Sequence, residues 1–241
     1  MKYPDSLGTE WEYHTTIYMV FYDTSGNITG TYTLDIGNTI AKVEKTNDTL
    51  GSYTDLILFT SFDVGTPQNI GKYWYRNIDT GLYSVAYTGA GSSQPILPKG
   101  KLADFIESLI KQIKIFVTPL SPGIQYDIRS DSLYFNNPPR KVFKYPLLVG
   151  SNWVEMTTPF HKEKFINQQE NITTPIGTYK TYVVESKMKD FTNITYIDYI
   201  NLDIGLLLRE VAVYSTILLG QNLDTLGYYD FRSMSELVRK D

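Results

Sequence analysis

Three short motifs recur in the same order along the chain, and this repetition constrains the fold more than any other feature. Tyr3-Pro4, Gly8 and Trp11 are matched by Tyr145-Pro146, Gly150 and Trp153, both in the pattern Y-P-x-x-x-G-x-x-W. Gly51-Ser52-Tyr53 is matched by Gly177-Thr178-Tyr179, and Asn77-Ile78-Asp79-Thr80-Gly81-Leu82 by Asn201-Leu202-Asp203-Ile204-Gly205-Leu206. Ordered self-similarity of this kind reads as two diverged copies of one structural unit. Each motif has a physical role. Pro4 and Pro146 cannot donate to a strand ladder and suit a strand entry or an edge. Gly8 and Gly150 are predicted at positive φ, and Trp11 and Trp153 are predicted to open strands and bury their rings. The short polar side chains and glycine of Asn-x-Asp-x-Gly-Leu predict hairpin tips between flanking strands.

The residues between the motifs favour strands. Twenty tyrosines in 241 residues, with abundant Thr and Ile, fit pleated and half-buried surfaces. Tyr18 to Tyr22 and Ile28 to Ile36 flank Asp23-Thr24-Ser25-Gly26-Asn27, which predicts a hairpin. This hairpin lengthens the first copy between its Trp and its Gly-Ser-Tyr. One stretch differs: Leu102, Phe105, Ile106, Leu109, Ile110 and Ile113 form a single apolar stripe at helical spacing. A helix is predicted over 102–114, and a strand is expected to start at Ile115-Phe116-Val117. The expected fold is mainly β: two tandem curved antiparallel sheets, half-barrel-like, with one amphipathic helix between the lobes. The expected division is a first β repeat over 1–98, a helix-containing connector over 99–140 and a second β repeat over 141–241.

Charge and chemistry narrow the function by exclusion. The net charge is −4, and Lys and Arg are scattered, so no surface tracks phosphates and no nucleic-acid partner is expected. There is no Cys, which removes disulfides, thiolate nucleophiles and Cys-based zinc sites. His14 and His161 lack partners at metal-ligand spacing and read as ordinary residues. Turn geometry accounts for Asp79 and Asp203 without calcium. Glu10 with Glu12, or Glu163 with Glu170, carry no glycosidase signal, because sequence spacing does not fix separation in space. The sequons at Asn27, Asn47, Asn171 and Asn193 read as polar strand or turn surface rather than glycan sites. No nucleophile elbow, phosphate loop or dinucleotide fingerprint occurs. No catalytic residue, metal or cofactor is expected, and the ligand-binding residues are left unknown. No apolar stretch spans a bilayer. Met1 reads as an expression start standing in for a removed leader or lipid anchor.

The repeated Tyr-Pro-x-x-x-Gly-x-x-Trp opening, the Gly-[Ser/Thr]-Tyr strand and the Asp-x-Gly-Leu hairpin resemble exported bacterial proteins and lipoproteins of unknown function. Domains in that group often begin with a Phe-Pro-Leu, Gly, Trp strand. Some of them are similar to the open β-barrels of periplasmic lipid and lipoprotein carriers. The resemblance implies an extracytoplasmic, non-enzymatic protein that holds an apolar ligand, such as a lipid, or a protein partner in a sheet cleft. The apolar helix face at Phe105 and Leu109 would cover that cleft. Two alternatives are a carbohydrate-associated surface module using exposed Tyr and Trp, and a hydrolase with an unrecognised site. Trp11 and Trp153 are expected to be paired core anchors rather than ligand contacts.

Overall fold

The structure, a computed structural model, describes residues 2–64, 66–88, 116–117, 133–158, 161–189, 191–219 and 224–241. Their regular structure is all strand: β1 (Glu10–Tyr22), β2 (Ile28–Leu50), β3 (Tyr53–Asp63), β4 (Thr66–Ile78), β5 (Gly81–Thr88), β6 (Phe116–Val117), β7 (Leu133–Lys144), β8 (Asn152–Met156), β9 (Lys162–Thr174), β10 (Gly177–Met188), β11 (Ile194–Asn201), β12 (Gly205–Leu219) and β13 (Thr225–Lys240). Alternation sets the faces. Along β1, Trp11, Tyr13, Thr15, Ile17, Met19 and Phe21 are buried, while the residues that alternate with them are more open. The expected hairpin tips at 23–27, 79–80 and 202–204 all join neighbouring strands.

All the strands belong to one sheet, which corrects the expectation of two tandem sheets. Its order is β7-β5-β4-β3-β2-β1-β13-β12-β11-β10-β9-β8, with β6 beside β12. The decisive contact is between the ends of the chain. β1 pairs antiparallel with β13 from Trp11↔Lys240 to Tyr22↔Tyr228. Once that ladder forms, the two halves cannot keep separate cores. Tyr3, Trp11, Tyr145 and Trp153 accordingly belong to a single buried cluster, together with residues from β2–β5, β7 and β9–β13. The sheet curls into a nearly closed barrel whose ends, β7 and β8, meet without a main-chain ladder between them among the described residues. The helix predicted over 102–114 lies outside the described residues, and among the described residues there is no helix.

The two Y-P-x-x-x-G-x-x-W segments adopt matching local geometry. Gly8 has φ +84° and Gly150 has φ +87°, conformations that glycine adopts without steric cost. Gly8 N–H donates to the Val43 carbonyl at 2.9 Å, and Val43 N–H returns a bond to Thr9 at 2.9 Å. Gly150 N–H donates to Ile166 at 2.8 Å, and Ile166 N–H returns one to Ser151 at 2.9 Å. Each segment is thereby clamped to the strand that follows its own. The segments also meet: Tyr3 N–H donates to the Tyr145 hydroxyl at 2.8 Å, and the Tyr3 and Phe143 rings stack at 5.7 Å.

The hairpin glycines make close approach possible. Gly81 lies at φ +155°, and a Cβ there would be driven into the Phe143 carbonyl oxygen of β7. Gly81→Ala is therefore expected to cost about 1–3 kcal/mol through overpacking against fixed backbone. Urea unfolding checks this, and an unchanged midpoint would show that β7 yields freely at that point.

Candidate functional site

Where β7 meets β8, side chains do the joining. Trp153 Nε1–H donates to the Lys141 carbonyl at 3.0 Å, and Lys164 Nζ donates to the Val142 carbonyl at 3.1 Å. Both acceptors belong to β7, which ends the strand order. Arg140 of β7 reaches Glu155 of β8 at 3.0 Å. Lys162 and Lys164 of β9 approach the other oxygen of the same carboxylate at 3.0 and 3.2 Å. Three cations thus share one buried carboxylate.

Alternation puts these charges inside. Lys162, Lys164 and Ile166 occupy one face of β9, and Ile166 is fully buried in the main core. The Lys162 ammonium also lies 4.5 Å from the centre of the Tyr196 ring, and the Arg209 guanidinium is 4.9 Å from it. Arg209 forks onto Asp198 through Nε at 2.6 Å and Nη2 at 3.0 Å. Asp198, Arg209, Ser235 and Thr15 follow one another across β11, β12, β13 and β1 in register. The row ends in a hydroxyl pair, Thr15 Oγ1 to Ser235 Oγ, at 2.9 Å. A polar belt therefore separates the aromatic core from a second apolar cluster around Ile17, Met19, Phe21, Tyr229 and Phe231.

The protonation states follow from burial and neighbours. Burial pushes the Glu155 carboxyl up, but Lys162, Lys164 and Arg140 outweigh it and hold the group well below the usual carboxylate range. Burial, only partly offset by Glu155, brings the Lys162 ammonium down to about 8. Burial also opposes the Arg209 charge, yet Asp198 more than compensates and raises its pKa. Burial raises the hydroxyl of Tyr196 well above its ordinary value.

The barrel exterior carries a different feature. At the far end of the long strands, Ile28, Tyr22, Tyr228 and Ile217 are successive register partners across β2, β1, β13 and β12. They face away from Phe21 and Tyr229, which pack inside. Ile28 and Ile217 are 64% and 46% exposed, and Tyr18, four residues before Tyr22 on the same face of β1, is also open. This is a transverse strip of apolar side chains on the outer surface.

The residues weighed in the sequence fall as follows. His14 on β1 bonds Asn38 at 2.7 Å, and His161, just before β9, meets Glu163 at 2.8 Å, so the two histidines have separate partners. Asp79 is exposed and paired with Lys2, and Asp203 receives ordinary turn geometry from Asn201. Glu10 and Glu12 both pair with Arg239. Among the described residues, no group of three or more His, Asp or Glu gathers at metal-binding distance. All three tryptophans are buried. The buried charges of β8 and β9 were not singled out in the sequence. The available signal was the spacing Lys162-x-Lys164-x-Ile166, which places both lysines on the face of a core isoleucine.

No family model matches the chain, and no curated protein matches it. Two solved structures are similar along nearly the whole length. One is a "putative lipoprotein" from Parabacteroides distasonis, 15% identical, covering 99% of this chain and 97% of the other with a TM-score of 0.37. The other is a "putative exported protein" with a YmcC-like fold from Bacteroides fragilis, 15% identical, covering 100% and 98% with a TM-score of 0.35.

Proposed function

We propose that the chain is a non-enzymatic, extracytoplasmic binding protein that engages a protein partner on the outside of its barrel. The observation that carries this reading is the exterior strip of Ile28, Tyr22, Tyr228 and Ile217. Tyrosine with aliphatic neighbours, rimmed by charges such as Arg232 and Asp230, is the usual make-up of a protein interface. The interior supports an apolar ligand less well. Its main apolar cluster is filled by the chain's own rings, with Trp11 on Phe59 at 6.0 Å, Tyr3 on Phe143 at 5.7 Å and Phe59 against Tyr75 at 5.5 Å. The extracytoplasmic placement rests on the resemblance of the repeated motifs to exported proteins.

The same reading takes the barrel as two copies of a six-strand unit, β1–β5 with β7 and β8–β13. It is supported by the matched glycine clamps at Gly8 and Gly150 and by the uninterrupted succession of neighbouring strands.

The test combines Ile28→Ser, Tyr228→Ser and Ile217→Ser. These are surface positions, so stability is expected to stay within about 0.5 kcal/mol per site. Wild type purified from its native host is expected to retain a protein identifiable by mass spectrometry, and the triple variant to lose it. Equal recovery with both would refute the exterior site. Binding to a glycan array that disappears in the triple variant would instead favour the carbohydrate-module reading.

A further inference from the structure

We infer that the outer edge of β2 over 30–34 pairs antiparallel with the same edge of a second copy of this chain, about a two-fold axis at Tyr32. The inference does not rest on the exterior strip. On one side, β1 pairs with Gly30, Thr31, Tyr32, Thr33 and Leu34 through Phe21, Val20, Met19, Tyr18 and Ile17. On the other side β3 begins to pair only at Thr39, and among the described residues no strand lies beside 30–34 there. Burial agrees. A covered strand alternates between open and closed positions, yet Thr31, Tyr32 and Thr33 are exposed in succession, on both faces. The main-chain groups along such an edge are a template for another strand.

The stretch also lacks the features that keep edges apart. It holds no charge and no proline. Its register with β1 is regular, and the irregularities at Phe21/Tyr22 and Thr15/Thr16 fall outside it. β7, at one end of the strand order, is different: it carries Pro138, Pro139, Arg140 and Lys141.

Self-complementarity selects a second copy as the occupant. About an axis through Tyr32, Gly30 faces Leu34, Thr31 faces Thr33, and Tyr32 faces its counterpart. Each pair joins side chains of one face, since Gly30, Tyr32 and Leu34 share the face of Phe21, Met19 and Ile17, and the threonines lie on the other. A small residue meets a large one, Thr meets Thr, ring meets ring, and no like charges are opposed. Tyr32 is 49% exposed and meets Phe21 edge-on at 5.5 Å, so a second ring at the axis covers its open side. Leu34 already packs against the cluster around Phe21, and pairing extends that apolar face from one copy to the next.

The test uses the full chain, in sedimentation over a concentration series. A ladder this short makes a small interface, so wild type is expected to pass from monomer to dimer as concentration rises. Thr31→Lys combined with Thr33→Lys sets ammonium groups opposite one another at both threonine pairs and should weaken the dimer about ten-fold or more. Oxidation reads the register. The chain has no cysteine, so Tyr32→Cys supplies one thiol that meets its counterpart at the separation of paired strands and should give a disulfide-linked dimer. Thr31→Cys should not, because its counterpart lies two residues out of register, beyond disulfide reach. The exterior-strip variant should dimerise like wild type. The inference is overturned if wild type stays monomeric throughout the series, if the lysine variant dimerises as wild type does, or if both cysteine variants cross-link equally.

Discussion

Glu155→Gln is expected to destabilise the protein by about 3–5 kcal/mol, because it removes the buried negative charge that Arg140, Lys162 and Lys164 share. The isosteric amide keeps the packing, so the loss reports charge rather than volume. Glu155 ties β8 to Arg140 on β7 and to Lys162 and Lys164 on β9, all within 3.2 Å. The damage should therefore begin at the seam. Amide exchange in 152–156 and 140–144 is expected to accelerate more than exchange along the β1·β13 ladder. Adding Lys164→Met to the variant should restore part of the loss, since one unbalanced cation disappears. The pH dependence has a definite sign. The folded-state pKa of Glu155 lies below its ordinary 4.5, so the folded state releases this proton more readily. Its contribution is present above 4.5 and is lost as pH falls through the lower folded value. Wild type should thus lose stability faster than the variant below pH 4.5. A destabilisation under about 1 kcal/mol, with parallel acid profiles, would show that the cluster is solvated and contributes little.

The sequence disclosed the local parts of this barrel and concealed its closure. Gly8 and Gly150 could be read as positive-φ positions because few residues other than glycine adopt that geometry, and both do so here. The Asp-x-Gly tips and the strand at Phe116–Val117 were legible for the same reason: each depends on a few adjacent residues. The pairing of Trp11 with Lys240 depends on no local signal, since a strand does not specify whether its partner is near or at the other end of the chain. Two repeats with open edges and two repeats zipped at one edge have the same hydrophobic pattern. The seam cluster was hidden differently. His161-Lys162-Glu163-Lys164 looks like a solvated run, and only the closed barrel turns alternate members of it inward. The exterior strip likewise exists only through cross-strand register, which brings Ile28, Tyr22, Tyr228 and Ile217 together from four strands.

The closure itself can be tested through Trp11, whose replacement by Ala is expected to cost about 3–5 kcal/mol. Its ring is 1% exposed, stacks on Phe59 at 6.0 Å and lies 6.2 Å from Tyr3. Truncation leaves a void lined by rings that the strands cannot easily collapse into. It also removes a hydrogen bond: Trp11 Nε1–H donates to the Ile204 carbonyl at 2.6 Å, at the β11–β12 hairpin tip. Gly205 permits that contact, because a Cβ there would stand 3.0 Å from the indole nitrogen at φ +108°. The indole thus holds a residue near the start of the chain against a hairpin from the other half. If the barrel is one cooperative structure, Trp11→Ala must lower the urea midpoint of both halves together. The fluorescence of Trp153, isolated in a Trp74→Phe background, should then follow the same single transition as the far-ultraviolet dichroism. If Trp153 kept its own later transition while the rest unfolded, the halves would be separable domains. The shared core around Tyr3, Trp11, Tyr145 and Trp153 would then not be what holds the ends of the chain together.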